Sequence, residues 1–232
     1  MKTSHKTKNT KTKASKLTPK NIAVIVVCII VPAIIGICSG DLIIGGTLLA
    51  TGLLSSYCAS LQKRYNYIFA FVNALLIAYV GFKNNLFGSF AINAFIFAPL
   101  EAFGFFAWSQ NLDKKKKVKI RKLTTKNAIL VVCICLVGSI IFGYLLTKIP
   151  TQQMAFLDST ISCIDICALV MMNLRFRESW WLWVISGVLA IIMWSVALLE
   201  GGDNALMRLI AAIGFLIINA YGATKWHREL KS

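Results

Sequence analysis

Three carboxylates, Glu101, Asp158 and Asp165, lie inside or at the start of long apolar runs, where charges are rare. An ionisable side chain in hydrocarbon costs at least ~2.5–3.5 kcal/mol on insertion scales, so each must face a bundle interior or water. Asn73 and Asn219 bring amides into two further apolar runs. Trp180 and Trp183, spaced i,i+3, share one helix face, and Gly187 follows a turn later. Two indoles on one face suit a flat heteroaromatic ring or a cation held over their faces. Carboxylates nearby would offset a positive charge. The chemistry on offer is therefore recognition and passage. Neither histidine, His5 nor His227, lies in an apolar run, and no nucleophile–base pair or metal-ligand cluster stands out, so an enzyme, a metal site and a cofactor are not expected.

The elements that carry these residues follow from composition. The chain has 232 residues, 57% of them hydrophobic, and a net charge of +16. Such apolar content with so few acids fits no soluble domain unless the two are segregated, and they are. Runs of roughly 20 apolar residues span a ~30 Å hydrocarbon core as helices, which satisfy their own backbone polar groups. Eight spans are predicted: Asn21–Ser39, Leu42–Leu61, Asn66–Phe82, Leu86–Trp108, Asn127–Thr147, Gln153–Asn173, Ser179–Leu199 and Asn204–Thr224. The first is read as a retained helix, since its apolar stretch outruns a signal core and Cys38-Ser39-Gly40 is a weak cleavage site. All seven cysteines (28, 38, 58, 133, 135, 163 and 167) fall inside spans and read as small apolar fillers.

Basic residues sort the loops. Residues 1–20, Lys63-Arg64, 113–126, Arg175 with Arg177, and the tail after Thr224 hold 22 of the 25 lysines and arginines. The alternate loops hold only Lys83, Lys148 and Arg208. The positive-inside rule then puts both termini in the cytoplasm after eight crossings. The basic runs lack interleaved aromatics and abut spans, so contact with anionic lipid explains them and nucleic acid is not an expected partner.

An internal repeat adds architecture. Glu101-Ala102-Phe103-Gly104-x3-Trp108 and Asn219-Ala220-Tyr221-Gly222-x3-Trp226 match in spacing, 118 positions apart. The match pairs spans 2–3–4 with spans 6–7–8, leaving span 5 as a linker and span 1 outside the repeat. One linking crossing makes the repeats parallel, a transporter plan in which substrate binds between the halves. The expected domains are a basic tail 1–20, an extra span 21–39, a first three-helix unit 41–108, a basic loop 109–126, a linker helix 127–147, a second unit 153–226 and a tail 227–232. At 1.5 Å per residue, Glu101 and Asn73 sit ~10 Å, Asp165 ~12 Å and Asn219 ~8 Å from the basic ends of their spans, in one layer. Pro99 predicts a kink that opens space beside Glu101. Set against this site are plainer roles: interfacial belt positions for Trp108, Trp226, Trp180 and Trp181, helix bridging for Asn73 and Asn219, and helix capping for Asp158.

Several motifs then resemble one family. Trp180-x2-Trp183 followed by Ile191-Ile192-Met193-Trp194, Phe156-Leu157-Asp158, Asn66-Tyr67-Ile68-Phe69 leading to Asn73, and Pro99-x4-Gly104-Phe105-x2-Trp108 look like the signature segments of PnuC-type vitamin transporters. The resemblance runs from about Gly45 to Trp226. It implies an all-α membrane fold related to the SWEET sugar transporters, with two three-helix bundles joined by a linker helix and assembly as a homotrimer. It also implies uptake of nicotinamide riboside, or of thiamine, riboflavin or a deoxynucleoside in relatives, across a bacterial cell membrane. Transport would be facilitated diffusion, with a cytoplasmic kinase trapping the substrate. Trp180, Trp183 and Asn73 would touch that substrate. Three positions depart from the family pattern: Gly187 replaces an Asn, Glu101 replaces Gln or Asn, and Asp165 replaces a small hydroxyl residue. One amide lost and two acids gained favour a cationic heteroaromatic ligand. An ion-coupled carrier using Glu101 or Asp165 as relay is the competing expectation.

Overall fold

A computed structural model describes residues 18–38, 40–83, 87–149, 154–201 and 205–230. Most of the basic tail 1–20, and the predicted span ends at Ser39, Leu86, Gln153 and Asn204, lie outside the described residues. Among the described residues, eight helical stretches are long and apolar enough to cross a membrane. Helix α1 covers Pro19–Cys38. A π-helical turn, Leu42–Gly46, runs into α2, Thr47–Ser60. Helix α3 is Asn66–Lys83. The next span is broken: α4, Phe87–Ile92, passes through a second π turn, Asn93–Phe97, into α5, Ala98–Ser109. Then come α6 (Thr125–Leu146), α7 (Ala155–Asn173), α8 (Ser179–Leu199) and α9 (Ala205–Glu229). The kink expected at Pro99 takes the form of that π turn. The ring crowds the carbonyl four residues earlier, at Phe95, and the chain relieves the crowding by widening its winding there.

Packing follows chain order with two crossings. Helix α3 lies against α2 and α5, and α8 lies against α7 and α9. Helix α2 also packs on α9, α5 on α7, and α6 on α7. Helix α1 rests on α2, where Tyr57 Oη donates to Asn21 Oδ1 at 3.1 Å. Helices α1 and α6 turn rows of Ile, Val and Leu outward, as lipid-facing helices do.

The end that carries the basic loops is closed by aromatic rings. Trp108 and Trp226 are wholly buried, contrary to the interfacial belt expected for them. Trp108 Nε1 donates to Met172 O at 2.9 Å, and Trp226 Nε1 donates to Ala59 O at 3.2 Å. Trp108 thus ties α5 to the last turn of α7, and Trp226 ties α9 to the last turn of α2, which is why neither is left in the headgroup layer. The same belt reading fails for Trp180, only 1% exposed, but suits Trp181, which is 48% exposed and donates to His227 Nε2 at 3.2 Å. Trp226 meets Trp108 at 5.8 Å and Trp180 at 5.7 Å between ring centroids, and Tyr67 stands edge-on to Trp108 at 5.0 Å. Room for these rings comes from glycine. A Cβ on Gly104 would strike the Tyr67 ring, and one on Gly222 would strike the Trp180 ring.

The basic loop after α5 straps this end. Val118 is buried in the aromatic cluster and its N–H donates to Gln62 O at 3.1 Å. Arg121 N–H donates to Arg175 O at 2.8 Å, and Arg177 N–H returns a bond to Arg121 O at 3.0 Å. Gln62 and Arg175 are both left-handed residues just past a helix, at φ 59° and 67°. Asp113 Oδ1 holds the strap's own turn by accepting from Lys115 and Lys117 N–H groups, each at 2.8 Å. Lys117 pairs with Glu229 at 3.1 Å, and Gln62 also donates to Glu229. Burial and nearby Lys117 lower the Lys63 pKa from its ordinary value. Introducing a methyl at Gly222 should overpack the cluster and cost about 1–3 kcal/mol. Gly222→Ala should therefore melt several degrees below wild type in detergent. Gly214→Ala should not, because its Cβ would sit 3.7 Å from Leu53, an ordinary contact.

Candidate functional site

A cavity of about 860 Å³ runs through the middle of the bundle. It extends from Ala59, Glu101 and Trp180 beneath the aromatic seal to Ile149, Asp158 and Arg208 toward the opposite end. Its size is within the range of small-molecule sites. All seven residues singled out from the sequence line it: Asn73, Glu101, Asp165, Trp180, Trp183, Gly187 and Asn219. They come from five helices, α3, α5, α7, α8 and α9, so no local segment could build the site alone.

The two amides hold the walls as well as lining them. Asn73 Nδ2 donates to Leu48 O at 2.6 Å and to Thr51 Oγ1 at 3.0 Å, which ties α3 to α2. Asn219 Nδ2 reaches Trp183 O at 3.4 Å, between α9 and α8. The helix-bridging role and the lining role therefore coexist. Asp165 accepts a hydrogen bond from Ser186 Oγ, which joins α7 to α8. Trp180 has its ring on Gly222 and against Trp226, so it forms a rigid end wall, while Trp183 is only partly buried. Gly187 lets Leu216 approach closely: an added Cβ would lie a tight 3.3 Å from its Cδ1.

Among the described residues five buried polar atoms lack partners, all at the sealed end: Glu101 Oε2, Asn66 Oδ1, Trp180 Nε1, Tyr67 Oη and Asn173 Oδ1, the first three on cavity-lining residues. Buried polar atoms are nearly always paired, so each such orphan calls for an explanation. Among the cavity-lining residues, the carboxylates are Glu101, Asp158 and Asp165, and the base is Arg208, whose guanidinium lies 4.7 Å over the Trp194 ring. Sequence reasoning missed Asn66, Asn93 and Arg208 as lining residues. Asn66 read as the start of a span and of a family segment but not as a wall residue, and Asn93 needs the π turn to bring it onto the wall. Arg208 counted only as a loop charge. Among the described residues no group of three or more metal-ligating side chains occurs.

An all-helical bundle of eight spans around a polar, tryptophan-walled cavity defines a multi-pass membrane transporter. Residues 42–228 match the family described as nicotinamide mononucleotide transporter, and the chain belongs to that family. It is 28% identical over 210 residues to the nicotinamide riboside transporter PnuC of Neisseria mucosa, covering 87% of this chain and 78% of that one. The PnuC proteins of Haemophilus influenzae and Escherichia coli are 27% and 28% identical, over 78% and 75% of this chain and 77% and 81% of their own. The crystal structure of the vitamin B3 transporter PnuC superposes with a TM-score of 0.79 at 26% identity, covering 93% of this chain and 94% of that one. These relatives are transporters, and the chain is a transporter and not an enzyme.

The Asp165–Ser186 link gives a direct check on the site's construction. A hydrogen bond to a charged group contributes about 1.5–3 kcal/mol. Ser186→Ala should lower unfolding stability by that order, and adding Asp165→Asn should cost less than the sum of the single changes. Thermal unfolding of the four proteins in the cycle measures the coupling.

Proposed function

We propose that the chain takes up nicotinamide riboside across a bacterial cell membrane by facilitated diffusion, with cytoplasmic phosphorylation trapping the product. The observation that carries this reading is the cavity's charge and shape: three carboxylates and tryptophan walls, with a lone arginine toward the open end. A pyridinium ring carries a fixed positive charge and a flat face, which Trp183 and the carboxylates complement. The relatives named as riboside transporters support the same cargo. The family's description names the mononucleotide instead. A phosphate monoester would bring about two negative charges into a cavity that already holds three acids. The unphosphorylated riboside is therefore the better fit.

The substrate would sit against Asn73, Glu101, Asp165, Trp180, Trp183, Gly187 and Asn219, between two parallel three-helix units of the SWEET type. In this arrangement α2, α3 and the α4–α5 span form one unit, α7, α8 and α9 the other, α6 links them and α1 is extra. Two features support it. Trp108 and Trp226 are 118 positions apart, and their acceptors Met172 and Ala59 are 113 apart. The left-handed residues Gln62 and Arg175, both strap acceptors, are also 113 apart. Both termini would be cytoplasmic, and the sealed aromatic end would be the inner gate, whose opening releases cargo. Assembly as a homotrimer, contact of the strap with anionic lipid, and coupling to a kinase complete the proposal. A carrier for thiamine or a deoxynucleoside is the alternative within the family.

Titration of the purified protein by calorimetry tests the reading. Nicotinamide riboside should bind saturably, and its 5′-phosphate at least about tenfold more weakly, one charge repulsion being worth ~1.4 kcal/mol or more. Trp183→Ala should abolish measurable binding. Tight binding of thiamine with none of the riboside would replace the cargo, and dependence of uptake on a proton gradient would replace facilitated diffusion.

A further inference from the structure

Helix α8 carries a further tryptophan on its cavity face. Trp183 and Trp194 are 11 positions apart, a spacing that leaves their side chains within roughly 20° of one another and roughly 16 Å apart along the axis. Both line the cavity, and between them the same wall is made by Ser186, Gly187 and Ala190, all small. Trp183 belongs to the substrate site proposed above. Trp194 lies toward the end opposite the seal, five residues before α8 stops. A belt residue would face lipid there, but Trp194 faces the cavity.

The Trp194 ring already holds a cation. The Arg208 guanidinium lies 4.7 Å from its centroid, the geometry of a cation–π contact. Arg208 is the base among the described cavity-lining residues, and Asp158 lines the cavity as well. Each is the fourth residue of its helix, so Asp158 on α7 and Arg208 on α9 both lie about 4.5 Å inside the ends where those helices begin. Both helices pack on α8, which carries Trp194. A guanidinium and a pyridinium ring make the same demand, a negative π face, so a ring that holds the first suits the second.

We propose that Trp194 is a second binding station for a cationic heteroaromatic ring, covered by Arg208 until cargo displaces it. This deepens the proposed function and rests on it for the cargo. The displaced guanidinium meets the Asp158 carboxylate at its own level, and the ring then passes along the small-residue wall to Trp183. Entry is an exchange of one cation for another, so the station is weak, as a stop on a path must be if cargo is to leave it. A neutral ring that displaced Arg208 would lose the cation–π contact and gain stacking alone, so the station favours charged rings.

The test uses the full chain in detergent, calorimetry, and two cations, nicotinamide riboside and N-methylpyridinium, with neutral pyridine as control. Trp183→Ala alone should bind neither cation measurably, because Arg208 still covers Trp194. Adding Arg208→Gln should uncover the ring, and both cations should then bind saturably, about fivefold or more tighter than pyridine. Arg208→Lys, which keeps a cation, should not give this gain, and Trp194→Leu should remove it. Arg208→Gln alone should show a second, weaker binding event for the riboside that the wild type lacks. Trp194→Leu alone should lower kcat/KM for uptake about fivefold more than it lowers riboside affinity. No gain on adding Arg208→Gln to either background, with riboside binding to the wild type intact, overturns the station and leaves the cargo. A gain that survives Trp194→Leu overturns the role given to Trp194. N-methylpyridinium binding to the uncovered ring, with no riboside binding to the wild type, overturns the cargo and keeps the station. If neither cation binds to any of these proteins, station and cargo both fall.

Discussion

Two indole N–H groups, each donated across the molecule to a main-chain carbonyl, hold the sealed end together. Trp108 bonds Met172 and Trp226 bonds Ala59, so α5 is fastened to α7 and α9 to α2. Lipid offers no hydrophobic force between helices, and packing with interhelical hydrogen bonds must do that work. The two bonds meet in one dry cluster, and everything else at this end is arranged around them. Gly104 and Gly222 make room for the rings, Val118 covers them, and Glu101 and Asn219 sit one turn further in on the same helices.

The strap adds a second fastening of the same kind. Its N–H groups go to Gln62 and Arg175, the residues that turn the chain after α2 and after α7. A single segment therefore bonds the main chain both after α2 and after α7. Opening this end must break the indole bonds and loosen the strap together. The gate proposed for this end would be two-state, since half-opening leaves buried polar groups unpaired. Trp180 belongs to both the cluster and the cavity wall, and so connects the two.

Much of this was legible in the sequence because membranes impose blunt rules. Length and hydropathy yield eight spans, and the one-layer estimate places Glu101, Asp165, Asn73 and Asn219 on a common cavity. The repeat of Gly-x3-Trp was visible as spacing. Its meaning was not, because tryptophan at a span end suits the headgroup layer as well as a buried cluster, and only the partner carbonyls, 64 and 167 positions away, decide between them. Asn66 was hidden for a similar reason. An Asn at the first position of a helix reads as an end signal, and nothing in the spacing marks this one as only 3% exposed. Arg208 read as a topology marker and Asn93 did not read at all.

The π turn at Asn93–Phe97 explains that last omission. Asn93 and Glu101 are eight positions apart, and eight residues of regular α-helix turn through roughly 800°, which leaves the two side chains roughly 80° apart. A π turn absorbs one surplus residue, worth roughly 100° of winding, and brings the two to within roughly 20°. Both residues line the cavity for that reason. The span thus carries a built-in phase correction. Straightening that turn into regular α-helix without losing a residue would rotate the outer half of the span by roughly 100°, turning Asn93 away while Glu101 stays. The polar path along this wall would then be interrupted at mid-depth, with neither end of the cavity touched.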